Sequence, residues 1–407
     1  MARRGFIPGA FRFKGGLMGL DRLNITVIGA GIGGLAVARA CALRGADVTV
    51  LEQAAEISEV GAGLQISPNG FAVLRALGLG DALRRRAVQA KAVSLRDYRS
   101  HEVVRLDLGA LENGDYYFIH RADLIEILAA GARAAGVKIR LLQKVSGVTP
   151  GARPKVELAN GATLVSDLVI GADGLHSRAR VALNGTSAPF FTRQVAWRTT
   201  IPNPGGRGPE ARVHMGPMRH VVSYPLRDST LLNIVAVQEK AAWAAESWSQ
   251  KDDPDALRAA FGDFCPEVRA MLDAVQEVHL WGLFRHPVAA VWQAGNVALL
   301  GDAAHPTLPF MAQGASMALE DGWVLADALS ARADVPEALA RYQTRREARV
   351  RRVVEAANRN AWKYHLSFPP LRWAAHTALR AGGALAPIRM MRQFDWLYGH
   401  DVTQIPA

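Results

Sequence analysis

The segment Gly29-Ala30-Gly31-Ile32-Gly33-Gly34 constrains this chain more than any other. It follows 24–28, a short apolar run rich in β-branched residues, and opens a helical run that reaches about Leu43. Gly45-Ala46-Asp47 then turns the chain into a second strand, 48–51, which ends at Glu52. A strand, a glycine turn, a helix and a second strand closed by an acid make the unit that binds a dinucleotide. Gly29 permits the tight turn, Gly31 lets backbone approach a pyrophosphate, and Gly34 lets the helix pack on the strand. The N–H groups at the helix start point at the phosphates. Glu52 accepts hydrogen bonds from a ribose, so this pocket suits FAD or NAD rather than NADP.

A chain of 407 residues has room for about two or three domains. It is half apolar and one-fifth charged, enough to bury a large core. Its 48 basic and 37 acidic residues give +11, which admits anionic partners. No helix-turn-helix, zinc or RNA-reading signature accompanies that charge, so no nucleic-acid partner is expected. Two cysteines, Cys41 and Cys265, exclude a disulfide scaffold and a cysteine-based zinc or iron–sulfur site. No metal is expected, and the cysteine usage fits the cytoplasm. Cys41 falls within the first helix and reads as core. No run of apolar residues is long enough for a transmembrane helix, and no membrane partner is expected. Residues 1–17 are basic, acid-free and glycine-rich. They read as a disordered tail, or as an extension before a true start at Met18; a targeting peptide is the remaining alternative.

The rest of the chain divides by pattern. A helix is expected over 122–135, a strand over 137–145, and a hairpin of 155–158 and 163–165 around Asn160-Gly161. Residues 167–171 read as a buried strand returning to the nucleotide sheet. From about 189 to 287 the character changes. Alternating strands such as 212–215, 220–224 and 231–237 predict an antiparallel sheet, in a segment that also carries Trp197, Trp243, Trp248 and Trp281. A strand follows at 296–300 and a helix at 312–329. A long helix over 336–365 has Val350, Val353, Val354, Ala357 and Ala361 on one face. Its stretch 341–363 holds eight basic residues and two acids, and reads as a solvated face rather than a binding patch. The expected division is a tail (1–23), the first part of a nucleotide domain with some substrate-side elements (24–188), a substrate domain (189–287), the second part of the nucleotide domain with the long helix (288–365), and a C-terminal helical segment (366–407).

Two further motifs join the glycine turn. One is Asp173-Gly174, in the run from Asp167 to Arg180. The other is Gly301-Asp302-Ala303-Ala304-His305-Pro306, continuing through Pro309-Phe310 to Gln313-Gly314-Ala315-Ser316. At these residues the sequence resembles the group A flavoprotein monooxygenases, the single-component FAD-dependent aromatic hydroxylases. It is similar in particular to the subgroup of salicylate hydroxylase, 6-hydroxynicotinate 3-monooxygenase and 3-hydroxybenzoate 6-hydroxylase. Gly61-Ala62-Gly63-Leu64-Gln65-Ile66-Ser67-Pro68-Asn69 and His120-Arg121-Ala122-Asp123-Leu124 share in the resemblance, which covers about 24–365.

The resemblance implies an α/β fold: a Rossmann-like, GR2-type FAD-binding domain with an antiparallel substrate sheet and C-terminal helices. It implies FAD as cofactor and O2 as co-substrate. There is no second glycine motif, so NAD(P)H must bind transiently. In the family a flavin C4a-hydroperoxide attacks an electron-rich ring, which implies a small phenol, hydroxybenzoate or hydroxylated heteroaromatic as substrate. Hydroxylation of a larger polycyclic, polyketide or purine scaffold, an FAD dehydrogenase or reductase on the same fold, and a silent nucleotide-binding protein are the alternatives. Self-association as a homodimer is left open.

Candidate site residues follow. Gly29, Gly31, Gly34 and Glu52 belong to the glycine motif. By the resemblance, Gly63, Arg121, Val145 and Asp173 also approach FAD; Arg121 is otherwise a surface residue at a helix start. Asp302 is placed to accept from ribityl hydroxyls or is an ordinary helix N-cap. The N–H groups of Gly314 and Ala315 can stabilise negative charge on the reduced flavin. His220 and Tyr224 lie four apart on one strand and so share a face. They serve as base and hydrogen-bond partner for a phenol, or they are core. By the resemblance, Pro309 turns its carbonyl toward flavin and substrate. Gln65 and Phe310 are lining positions where hydroxypyridine-acting relatives carry histidines, which weighs against 6-hydroxynicotinate as substrate. Trp197 and Arg198 open the substrate sheet, and Arg198 either pairs with a carboxylate or is structural. His305 reads as a structural histidine fixing its turn.

Overall fold

The computed structural model describes residues 20–21, 23–57, 62–111, 114–203, 205–240, 251–332 and 334–404. The tail 1–17 with Met18, and Gly61, Trp243 and Trp248, lie outside the described residues.

The apolar run at the start forms the strand Asn24–Ile28, whose Ile25 and Val27 are fully buried. It sits inside a six-stranded sheet, parallel to Asp47–Leu51 on one side and Leu168–Gly171 on the other. Lys138–Arg140 extends one edge in parallel; Val297–Leu299 and then an antiparallel Gln293–Ala294 extend the other. Strands buried on both faces read as continuous apolar runs, as Leu168–Gly171 and Val297–Leu299 do. The helix Ile32–Ala42 packs against the helix Gly314–Ser330 so closely that a Cβ on Gly322 would lie 3.0 Å from the Val37 backbone nitrogen.

The second large sheet has eight strands in the order Lys251–Asp252, Val278–Arg285, Phe190–Pro202, Leu231–Glu239, Arg219–Leu226, Glu210–Gly216, Ala92–Asp97 and Glu102–Asp107. Every neighbouring pair is antiparallel except Glu210–Gly216 with Ala92–Asp97. Side chains alternate across it. Val195, Trp197 and Val221 face outward into a core built with Leu257, Val268 and Leu272 from two short helices. Ala196, Val237 and Trp281 face inward with Leu308 and Phe310.

Three elements differ from the sequence expectation. The strand 137–145 is broken, because Leu142 takes a positive φ of 57°, and a new strand, Val145–Thr149, starts beyond it. The helix expected from 312 begins at Gly314, since Ala312 is left-handed at φ 51°. The long helix spans Val335–Asn360 and tightens into a 3-10 turn, Ala361–Tyr364. Its basic stretch is not simply solvated: Arg346 and Arg349 are buried against acids, while Arg351 and Arg359 pair with Glu347 and Glu355 at the surface.

Candidate active site

The glycine turn is closed on its protein side. Gly29 has φ 99°, its N–H donates to the Leu51 carbonyl at 2.8 Å, and a Cβ there would lie 2.5 Å from the Ala172 oxygen. A Cβ on Gly34 would lie 2.0 Å from the Gly29 oxygen. Both positions therefore exclude any side chain. Gly31 is the opposite case: a Cβ there meets nothing within 4 Å, because the residue faces a cavity. Glu52 stands beside the turn and accepts from the Ala30 and Ala54 N–H groups at 2.9 Å.

The Gly301–Ala303 turn is held from behind by a buried ion cluster. Asp321 accepts from the Gly301 N–H at 2.9 Å, from His305 Nε2, and from Arg346 Nε at 2.7 Å. Glu320 lies 2.6 Å from Arg346, is paired with Arg349 at 2.8 Å, and accepts from Asn69 at 2.6 Å. Burial pushes the Glu320 carboxyl up, but Arg346 and Arg349 outweigh it and hold the group down to about 2. Asp321 is held low in the same way by His305 and Arg346, against its burial. His305 is thus tied into the scaffold. This leaves the adjacent Asp302 carboxylate facing the cavity. Burial raises its pKa, and His305 and Arg121 oppose the rise.

The cavity is large, about 870 Å³, and runs between the two sheets. Gly31, Asp302, Gly314 and Ala315 line it, together with Arg121, Gly63 and Gln65. On the substrate-sheet wall stand His220, Tyr224 and Arg198, with Pro309 and Phe310 near them. His220 and Tyr224 do share a face, as period two requires. Burial, and then the neighbouring His365, hold His220 well below the usual histidine range, so it is neutral near pH 7. Burial raises the Tyr224 phenol, with Arg198 pulling the other way. Burial lowers the Arg198 guanidinium to about 10, still cationic at neutral pH, and it stacks 4.0 Å from the Trp281 ring centroid. A neutral imidazole, a neutral phenol and a cation thus converge on one largely apolar space.

Six sequence candidates do not line the cavity. Gly29, Gly34 and Glu52 shape the turn behind it. Val145 lies in the main core opposite Leu158. Asp173 accepts from Ser177 Oγ at 2.5 Å and from the Arg178 and Ala179 N–H groups, at the start of a short helix. The expectation for Trp197 is corrected. It points outward, donates to Asp252 at 2.7 Å and packs edge-on to Phe261. Adjacent residues on a strand face opposite ways, so Trp197 and Arg198 could not both reach the substrate side.

The sequence reading missed several neighbours. Asn233, opposite Tyr224 in the sheet, accepts from the Gly63 N–H at 2.6 Å. A Cβ on Gly63 would lie 2.6 Å from the Tyr224 ring, so this glycine gives room to the substrate wall. Tyr116 donates to Gln65 at 2.7 Å. His365 bonds to His220, and nothing local marks it. Among the described residues one cluster has metal-ligating chemistry, His214 with Cys265 and Glu267. It lies outside the cavity, and Glu267 is paired with Arg212 at 2.7 Å and with Arg207 at 3.4 Å.

Comparison with known proteins decides the family. Residues 22–357 match the FAD binding domain family. The chain belongs to that family. It is 34% identical over 400 residues to the 3-amino-4-hydroxybenzoate 2-monooxygenase PtnB3 of Streptomyces platensis, covering 94% of this chain and 98% of the relative. It is 33% identical to the 3-hydroxybenzoate 6-hydroxylase of Polaromonas naphthalenivorans, covering 93% and 96%. Among solved structures it is similar to Klebsiella pneumoniae HpxO complexed with FAD and uric acid, with TM-score 0.80 and 26% identity over 91% of this chain and 96% of that one. This flavoprotein monooxygenase uses FAD, with NAD(P)H as reductant. The residues present fit FAD: an open Gly31 at a helix N-terminus and a cavity-facing Asp302 are what a pyrophosphate and a polyhydroxyl chain require. No helix among the described residues is long and apolar enough to cross a membrane.

Proposed function

We propose that this monooxygenase hydroxylates a small aromatic ring that already bears a hydroxyl, a hydroxybenzoate or a hydroxylated heteroaromatic. The observation that carries the reading is the convergence of His220, Tyr224 and Arg198 on the wall of the cavity that also meets Gly31 and Asp302. Relatives named for 3-amino-4-hydroxybenzoate and 3-hydroxybenzoate support it.

In this reading Gly31 and the N–H groups of the first helix receive the pyrophosphate, with Gly29 and Gly34 holding the turn. Glu52 serves the ribose, Asp302 the ribityl chain, and Gly314 and Ala315 the pyrimidine end of the flavin. Arg121, Gly63, Val145 and Asp173 support the same cofactor, the last two from outside the cavity. FAD, when bound and reduced by NAD(P)H, would supply the activation of O2, one atom of which goes to the ring. The chain's own residues do the rest. His220, neutral and buried, takes the proton of the ring hydroxyl and so raises the electron density of the ring. Tyr224 donates to the same oxygen or to a ring substituent. Arg198 pairs with a carboxylate. Phe310, Gln65 and the Pro309 carbonyl confine the ring and exclude water.

The cytoplasmic location belongs to the same reading, in keeping with two buried, free cysteines. So does a homodimer, for which exposed Phe368, Leu371, Trp373 and Ile388 would provide apolar surface.

The test is NADH and NADPH oxidation by FAD-loaded protein with salicylate, hydroxybenzoates, 3-amino-4-hydroxybenzoate, hydroxynicotinates and phenols, with the ring-hydroxylated product assayed. Stimulation with matching product is expected. Full flavin loading with no hydroxylated product from any of these would refute the substrate class.

A further inference from the structure

A base buried in the wall of a cavity needs a path for the proton it accepts. His220 is 2% exposed. Its Nδ1 stands 2.7 Å from Nε2 of His365, and Nδ1 of His365 stands 2.8 Å from Oε1 of Glu239. The His365 side chain is 1% exposed and that of Glu239 is 39% exposed. The three groups form an unbroken file from the cavity wall to the protein surface.

We propose that His220, His365 and Glu239 relay the hydroxyl proton of the substrate between the cavity and solvent. The proposal rests on the phenolic substrate inferred above. A carboxylate only accepts, so Glu239 holds the proton of His365 on Nδ1 and leaves Nε2 as an acceptor. That nitrogen in turn holds the proton of His220 on Nδ1, which leaves Nε2 of His220 as a lone pair for the substrate. The surface carboxylate thereby sets the tautomer of a base two residues away in the chain of bonds.

The transfer balances. The substrate O–H bond breaks toward Nε2 of His220. The Nδ1 proton of His220 passes to Nε2 of His365, and the Nδ1 proton of His365 passes to Glu239, which releases it to water. One proton leaves the substrate, one reaches solvent, and no electron moves. The reverse passage returns a proton to the product oxygen and restores both tautomers.

The backbone is built to keep this file in register. Met218, at φ 58° in the turn between two substrate strands, donates its N–H to the His365 carbonyl at 3.1 Å. The Met218 carbonyl accepts from the Glu239 N–H at 2.8 Å. His220 lies two residues beyond, and the rings of Tyr364 and Phe310 flank it at 5.2 and 6.0 Å. Of the charged groups on the helical segment leading to His365, Arg359 and Lys363 line the cavity with Arg198 and Tyr224. Arg219 is paired with Asp263 at 2.9 Å.

The test mixes FAD-loaded enzyme rapidly with 3-amino-4-hydroxybenzoate in weak buffer. An indicator dye reads proton release, and the ultraviolet band reads ionisation of the bound hydroxyl. E239Q and H365Q are expected to slow both signals by roughly tenfold or more, with substrate affinity within about twofold of wild type. E239D, which restores the carboxylate, is expected to recover most of the rate. E239Q alters a surface side chain and carries the test even if H365Q fails to fold. Wild-type rates in E239Q would overturn the relay and leave the phenolic reading intact. No ionisation or hydroxylation of this probe or any other phenol in the panel by the wild type would overturn both.

Discussion

Replacing Arg346 with methionine removes the centre of the buried cluster behind the Gly301–Ala303 turn. Arg346 is 1% exposed, and Glu320 and Asp321 are 0% exposed. The substitution leaves Asp321 with His305 and Glu320 with Arg349. Removing one partner of a buried ion pair costs about 3–5 kcal/mol. A second route gives a similar figure. Glu320 is held at about 2, against about 4.3 in an unfolded chain, and that gap corresponds to roughly 3 kcal/mol, what remains of its attraction to Arg346, Arg349 and Asn69 after the cost of burial. Both carboxyls are depressed in the folded state, so their stabilisation is fully present above about pH 4.3 and fades as pH falls through about 2. R346M is therefore expected to lose about 3 kcal/mol at pH 7 and to unfold in acid at a higher pH than the wild type. FAD retention should weaken as well, because the turn carrying Asp302 loses its anchor. Urea unfolding of the apoprotein across pH reads the first effect and flavin fluorescence titration the second. A loss below about 1 kcal/mol at pH 7 would refute the reasoning. So would an R346M/E320Q/D321N triple variant no more stable than R346M, since neutralising the stranded carboxylates should relieve the penalty.

Two further contrasts follow from the geometry. Gly34→Ala drives a Cβ into the Gly29 carbonyl and should destabilise the apoprotein by about 2 kcal/mol or more. Gly31→Ala meets only open space and should leave apoprotein stability within about 0.5 kcal/mol while weakening FAD binding. Flavin titration and thermal melts separate the two, and tight FAD binding by G31A would count against pyrophosphate approach at that residue. Across the substrate sheet, Arg198→Met should raise KM for carboxylated aromatics by roughly tenfold and leave simple phenols unaffected. Trp197→Phe should leave every KM unchanged and cost about 1 kcal/mol through the lost indole–Asp252 bond. Steady-state kinetics on a carboxylated and an uncarboxylated substrate decide between them.

The nucleotide half was legible because its tasks are local. Gly29, Gly31 and Gly34 differ in what surrounds them, and a contiguous strand–turn–helix already dictates those differences. The pairing of His220 with Tyr224 on one face was legible for the same reason, since strand alternation is a property of consecutive residues. Alternation also separates Trp197 from Arg198, but it does not say which of them faces the flavin side. That depends on which face of the sheet the two short helices cover.

The partners of the site were decided by tertiary structure alone. His365 reaches His220 across 145 positions, Asn233 reaches Gly63 across 170, and Asn69 reaches Glu320 across 251. The basic stretch of the long helix looked like a solvated face, yet Arg346 and Arg349 turn inward to carboxylates on a neighbouring helix. The sequence by itself determined the cofactor class, because backbone close to a phosphate can be met only by glycine at fixed local spacing. The tertiary structure determined how the cavity wall of His220, Tyr224 and Arg198 is charged and oriented and which distant residues it meets, because hydrogen bonds between distant segments exist only once sheet register has brought them together.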